Sequence, residues 1–275
     1  MGAAPPADGS RGATGVSTPV LETRSLSKWF GGLQALTGLD LAVESGEIIG
    51  LIGPNGAGKS TALGAISGFH RPSAGSVWLQ GHEVTGDAPH VLARRGLARM
   101  FQQNVLFGSC TVFESVQIGA HLQAVGSGFG AIRRAVAGGG GRGMVGTDVW
   151  RLLDFVGLAD DAGAVATSLP HGKKRLLGLA VTLASRPNML LLDEPLTGMN
   201  AEETQAMLRL INLLRDERGM SFILVEHNME AVMNLCDRLC VLHFGRRIAY
   251  GTPTMVAADP AVIDAYLGVG TPGAI

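Results

Sequence analysis

An α/β fold built around parallel strands is predicted from three stretches of the chain. In the first, the apolar run Ile48-Ile49-Gly50-Leu51-Ile52 hands over to Gly53-Pro54-Asn55-Gly56-Ala57-Gly58-Lys59-Ser60-Thr61 and then to a helix from Thr61 to Phe69, a strand-loop-helix unit. In the second, Met189-Leu190-Leu191-Leu192 runs into Asp193-Glu194-Pro195, the pattern of a central strand whose C-terminal end meets the ligand edge of a sheet. Phe222-Ile223-Leu224-Val225 repeats that pattern and ends in Glu226-His227.

The glycine-rich stretch has the spacing of a phosphate-binding loop: Gly, four residues, Gly-Lys, then Ser or Thr. Glycines 53, 56 and 58 let the backbone curl until its N–H groups face inward, and the following helix adds its partial positive charge. The chemistry of a nucleoside triphosphate assigns the rest. Lys59 would reach the β- and γ-phosphates, and the Ser60 hydroxyl would ligate Mg²⁺. Asp193 would hold the Mg²⁺ shell, while Glu194 would orient or deprotonate a water for attack on the γ-phosphate.

Composition narrows the class. The chain of 275 residues is long enough to bury a sizeable core, and 46% of it is hydrophobic. A net charge of −1 supplies no electrostatic footprint for nucleic acid, so no such partner is expected. Three cysteines, an odd number, argue against a disulfide framework. Cys236 and Cys240 near His227 and His243 invite a zinc reading, but the spacing is wrong for a finger and packed thiols are expected. No apolar run approaches the ~18 residues of a membrane span.

In chain order, Met1 to Thr18 is too poor in large apolar residues to fold and lacks the apolar centre of a signal peptide, so a disordered tail and no export are expected. Val20 to Thr23 and Leu39 to Val43 read as strands of an antiparallel layer. Between them Trp29 and Phe30 precede Gly31-Gly32, where an aromatic either stacks on a purine or packs in the core. Gly75 to Leu79, Leu97 to Phe101, Asp237 to Leu242 and Arg246 to Tyr250 are further strands, and His90 to Arg95 a short helix. Gln102, at the end of its strand, offers an amide oxygen to a metal ion and its water, or caps a loop. Helical spacing over Thr111 to Leu122 and Val149 to Val156, separated by a glycine-rich segment at 126–146, marks an insertion at about 105–170. A helix then follows Leu169-Pro170-His171-Gly172-Lys173, whose Pro and Gly suit an N-terminus with N–H groups facing anions, or simply begin a basic helix. Gly198-Met199-Asn200 makes a turn before an amphipathic helix from Ala201 to Arg215, and Pro260 to Leu267 is the last helix.

The order of these motifs resembles the nucleotide-binding subunit of an ATP-binding-cassette transporter over roughly residues 20–268. The resemblance implies a P-loop ATPase fold: one domain over 19–268, with a RecA-like mixed-sheet core, an antiparallel β layer, the helical insertion, and a flexible tail at 269–275. It implies ATP and Mg²⁺ as cofactors, Phe30 as the adenine-stacking aromatic, Gly53 to Thr61 as the Walker A loop and Gln102 as a catalytic and Mg²⁺-binding Q-loop residue. Leu169, Pro170, His171, Gly172 and Lys173 become the signature that touches ATP held by a partner subunit. Asp193 and Glu194 become the Walker B pair, Gly198, Met199 and Asn200 the D-loop, and His227 the switch histidine. The implied partners are a second ATPase subunit, two membrane-spanning permease subunits and, indirectly, an extracytoplasmic substrate-binding protein, with this subunit itself at the cytoplasmic face of the plasma membrane.

Phe30 to Leu36, Gly198-Met199-Asn200, Val225-Glu226-His227-Asn228-Met229 and Ala265-Tyr266-Leu267-Gly268 look like the branched-chain amino-acid and amide uptake subclass. An ATPase of the same family that acts without transport, or one that drives export, is the alternative. One departure stands out: the family signature begins Leu-Ser, and here Pro170 can donate neither hydroxyl nor N–H, while Lys173 replaces the usual glutamine and brings a positive charge.

Overall fold

The computed structural model describes residues 18–101, 109–125 and 146–267. Gln102, most of the glycine-rich segment and the terminal stretches 1–17 and 268–275 lie outside the described residues.

Two sheets share the chain. β1 (Leu21–Phe30), β2 (Leu33–Val43), β4 (Ala74–Leu79) and β5 (His82–Glu83) form an antiparallel sheet in the order β2-β1-β4-β5. β3 (Ile48–Ile52), β6 (Leu97–Met100), β7 (Met189–Asp193), β8 (Ser221–Val225), β9 (Arg238–His243) and β10 (Arg246–Gly251) form a mixed sheet in the order β10-β9-β3-β8-β7-β6. All its neighbours run parallel except the edge pair β9–β10. The expected mixed sheet and antiparallel layer are both present.

The uninterrupted apolar runs of β3, β7 and β8 follow from burial on both faces. Strand pleat divides each run between two cores. Ile49, Leu51, Leu191, Ile223 and Val225 face the antiparallel sheet and α1 (Lys59–Ile66). Ile48, Ile52, Leu190, Leu192, Phe222 and Leu224 face the opposite core, which α6 (Ala201–Arg218) and α7 (Met229–Leu235) cover. The same core continues into a helical layer made by α3 (Val112–Val125), α4 (Gly146–Phe155) and α5 (His171–Leu183), with α2 (Pro89–Arg94) beside α3. α8 (Pro253–Ala257) and α9 (Pro260–Leu267) close the fold against β10.

Several elements differ from the sequence reading, β1, α1 and α7 among them. β1 extends to Phe30, so Trp29 and Phe30 end a strand and do not sit in a turn; its register against β2 shifts between Thr23 and Trp29, which erases the two-residue alternation that would have revealed it. α1 begins at Lys59, two residues early, because glycine at Gly58 turns the chain directly into the helix at φ 102°. The short helix α7 was not anticipated, although Asn228 caps it by accepting from the N–H of Ala231 at 3.0 Å.

α3 and α5 meet at Gly119, where an added methyl would lie 2.5 Å from the Val181 carbonyl oxygen and 2.9 Å from its Cγ1. Alanine is the better helix former by ~1 kcal/mol, but overpacking costs about 1–3 kcal/mol. Gly119→Ala should therefore lower the unfolding free energy in urea; a stabilised variant would contradict the close helix approach.

Candidate functional site

The phosphate loop leaves β3 through Gly53, whose φ of 146° and lack of a side chain let the chain pass directly over the Leu242 carbonyl of β9. Its far end is braced twice. The Gly245 N–H in the β9–β10 turn donates to Ala57 O at 2.9 Å, and the Thr37 N–H of β2 donates to Gly245 O at 2.7 Å. Gly58 packs so close to Ala35 O that a methyl there would stand 2.5 Å away. No side chain caps α1, so its first N–H groups point into the loop, where an anion completes them. Lys59 is 93% buried by its loop and donates from Nζ to the carbonyls of Gly53 (2.7 Å) and Pro54 (3.0 Å). Burial lowers the pKa of its ammonium, and the nearby carboxylates of Glu194 and Asp193 oppose that shift.

A cavity runs along residues 55–61 and is also lined by Phe30, Gln34, Glu194, His227 and Phe244. Phe30 is 44% exposed, so it is not a core residue; Lys28 Nζ stands 4.9 Å from its ring centroid and His70 meets it edge-on at 5.4 Å. Phe244 was missed by sequence reasoning. It is 80% exposed at a left-handed φ of 44°, in a tight turn where Gly or Asn is the usual choice, and that misplacement was the available signal.

Asp193 and Glu194 end β7 as expected and then diverge. Asp193 Oδ2 accepts from Arg99 Nη2 at 2.7 Å, with both side chains about 9% exposed. Arg99 also stacks its guanidinium 4.7 Å over Phe101 and 5.9 Å over Phe69. This basic residue inside β6 escaped the sequence reading, though an arginine in so short a strand was its signal. Glu194 turns at φ 50°, accepts from Thr197 Oγ1 at 3.3 Å, and places Oε1 3.0 Å from His227 Nε2, where a carboxylate accepts from a protonated ring nitrogen. The carboxylate predicted to activate the water and the predicted switch histidine therefore touch.

The donor set suits Mg²⁺. A hydroxyl at Ser60 and a carboxylate at Asp193 are hard oxygen ligands, and Mg²⁺ takes one or two carboxylates with substrate phosphates rather than a protein cage. Among the described residues no cluster of three or more His, Cys, Asp or Glu is placed to hold a metal ion. Cys236 and Cys240 are thiols packed in the two hydrophobic cores, and desolvation pushes the pKa of each up to about 12.

Residues 169–173 do not line the cavity. Leu169 is buried, and Pro170 stands exposed as the N-cap of α5 at φ −56° and ψ 157°, without a side-chain cap. His171 lies against Gly198, its Cε1 2.7 Å from where a Cβ would stand, and Gly172 has room for no side chain beside the Glu203 carboxylate. The stretches predicted as signature and D-loop thus pack against each other. Asn200 closes that turn by capping α6 in a reciprocal box, accepting from the Glu203 N–H at 2.9 Å while Glu203 accepts from the Asn200 N–H at 3.0 Å. Met199 N–H donates to Leu196 O at 3.1 Å. Lys173 Nζ forms an ion pair with Asp161 at 2.7 Å. Among the described residues no helix is long and apolar enough to cross a membrane.

A strand-to-helix glycine loop, an anchored lysine and a carboxylate pair at the end of β7, two strands away in the same sheet, define a P-loop nucleoside triphosphatase. The comparisons narrow this. The family described as ABC transporter matches residues 36–197, and one described as branched-chain amino acid ATP-binding cassette transporter matches 246–272. The high-affinity branched-chain amino acid transport ATP-binding protein BraF of Pseudomonas aeruginosa is 36% identical over 253 residues, covering 92% of this chain and 99% of BraF. LivG of Escherichia coli K12, which carries the same description, is 36% identical over 259 residues with the same coverages. Among solved structures, a nucleotide-free cassette from an ABC transporter superposes with a TM-score of 0.80 at 27% identity, over 90% of this chain and 98% of that one. The ADP conformation of the cassette MJ1267 follows at 0.79 and 28%, over 91% and 99%. The chain belongs to the ABC transporter family of ATP-binding subunits.

Pro170→Ser would restore a hydroxyl at an extended N-cap position, worth ~1 kcal/mol as a cap, against ~0.4–1 kcal/mol lost with the rigidity of proline. Stability should stay nearly unchanged and ATP hydrolysis should equal or exceed the parent rate. A severe fall in phosphate release would mean that proline itself sets the signature.

Proposed function

We propose that this chain is the ATP-hydrolysing subunit of an importer for branched-chain amino acids or small amides. The observation that carries the reading is the contact between Glu194 and His227 at 3.0 Å on the wall of the phosphate-loop cavity, with the signature of the same chain outside that cavity. A cavity holding only half of the required groups suits two chains facing each other, each completing the other's site. The C-terminal match at 246–272 and the relatives BraF and LivG support branched-chain amino acids as the cargo class.

The chemistry then divides among the residues. Lys59 exchanges the carbonyls of Gly53 and Pro54 for phosphate oxygens, which favour its ammonium more strongly than neutral acceptors do. Phe30 offers a ring face to the base. Glu194 orients the attacking water and accepts its proton, and His227, already hydrogen-bonded to Glu194, holds that carboxylate in place and contacts the γ-phosphate. Ser60, Asp193 and Gln102 are the residues that would hold Mg²⁺, which when bound neutralises charge on the phosphate oxygens. Leu169 to Lys173 serve the ATP of the second subunit through backbone N–H groups near Gly172. Gly198 to Asn200 run along the subunit boundary. The domain spans 19–268, with 105–170 as the insertion beneath two permease subunits at the cytoplasmic face of the membrane, and an extracytoplasmic binding protein delivers the cargo. Closure of the pair on ATP drives the permeases, and hydrolysis reopens it.

The test is uptake in a strain lacking this chain. Labelled leucine or short amide should enter when the parent chain is restored. With Glu194→Gln it should not, although that variant should bind ATP and elute as a dimer. Full uptake with Glu194→Gln would overturn the catalytic assignment, and full uptake of every tested cargo without the chain would overturn the cargo class.

A further inference from the structure

The carboxylate at Glu226 has no part in that chemistry, yet it is the most enclosed acid of the site, 3% exposed at the end of β8. Desolvation raises its pKa, and the N–H groups of Leu196, His227 and Asn228 oppose that shift. A carboxylate so placed is costly unless its lone pairs are used, and here they are shared between two loops. Oε1 accepts from the Leu196 N–H at 2.7 Å, on the segment that leads from Glu194 into Gly198-Met199-Asn200. Oε2 accepts from the His227 N–H at 3.1 Å. Arg175, buried in the first turns of α5, is close enough for its charge to act on both Glu226 and Glu194.

We infer that Glu226 is a positioning residue that fixes the D-loop and the switch histidine to each other, so that Glu194 and His227 stay in contact while the signature helix moves with them. The inference rests on the reading of Glu194 and His227 as the hydrolytic pair. The geometry gives the reason. Glu194 hangs on the D-loop side of the clamp and His227 on the other, and their side chains meet at 3.0 Å across it. Among the described residues Glu226 is the side chain that bonds to both backbones, and each bond is charge-assisted, hence stronger than an amide–amide bond. Glutamine keeps the size but turns one acceptor oxygen into an NH₂ donor, which must then face a backbone N–H.

The experiment compares the parent chain with Glu226→Gln in the assembled dimer. The variant should bind a fluorescent ATP analogue within about twofold of the parent, while kcat falls at least tenfold, the scale of one lost charge-assisted bond. Amide hydrogen exchange should quicken at Leu196 and His227 and stay unchanged in residues 53–58. If the variant does not fold, Glu226→Asp serves instead: one methylene shorter, it reaches one loop only, so one of the two amides should lose protection and kcat should still fall. Unchanged kcat, or unchanged protection at both amides, overturns the inference. A fall in kcat matched by an equal fall in affinity also overturns it, because that pattern marks general damage. Failure of the underlying reading has a different signature, namely parent-level hydrolysis by Glu194→Gln with the exchange pattern of Glu226→Gln intact.

Discussion

The site depends on a lysine ammonium held among backbone carbonyls at the end of a fully buried strand. β3 is enclosed on both faces, so the loop that leaves it starts from a fixed point. Gly53 crosses the Leu242 carbonyl with no room for a side chain, and the β9–β10 turn and β2 hold the other end of the loop. Within that frame Lys59 has nowhere to place its charge except on the carbonyls of Gly53 and Pro54 or on an anion that displaces them. Preorganisation of this kind lets the charge act at full strength, because little rearrangement accompanies binding.

Opposing charges balance around that lysine. Asp193 is matched by Arg99, whose guanidinium extends to the rings of Phe69 and Phe101. Glu194 is matched by His227, and Glu226 by backbone donors and the nearby charge of Arg175. The acids at the ends of β7 and β8 therefore meet different segments: Asp193 pairs with Arg99 of β6, Glu194 with His227, and Glu226 with the N–H groups of Leu196 and His227.

Much of this was legible in the sequence. The glycine spacing, the four-residue apolar run before Asp193 and the Glu226-His227 ending carry information because each is a local rule: backbone freedom, burial on two faces, a sheet edge. The partners of those residues were not legible. Arg99 lies 94 positions from Asp193, and Glu226 lies 30 from Leu196; no local pattern pairs them, since only the strand order brings β6 beside β7 and β7 beside β8. β1 was underread because its bulges break the alternation that marks a strand, and no local pattern pairs Lys173 with Asp161, 12 positions earlier.

The account stands most directly on the affinity of the isolated chain for ATP with and without the Lys59 ammonium. Titration of a fluorescent ATP analogue should show Lys59→Ala binding at least ~100-fold more weakly than the parent, the scale of two lost bonds between an ammonium and phosphate oxygens, with its urea midpoint little changed because the braces at Ala57, Thr37 and Leu242 remain. Affinity within about threefold of the parent would contradict the claim that this lysine is the anion's principal partner.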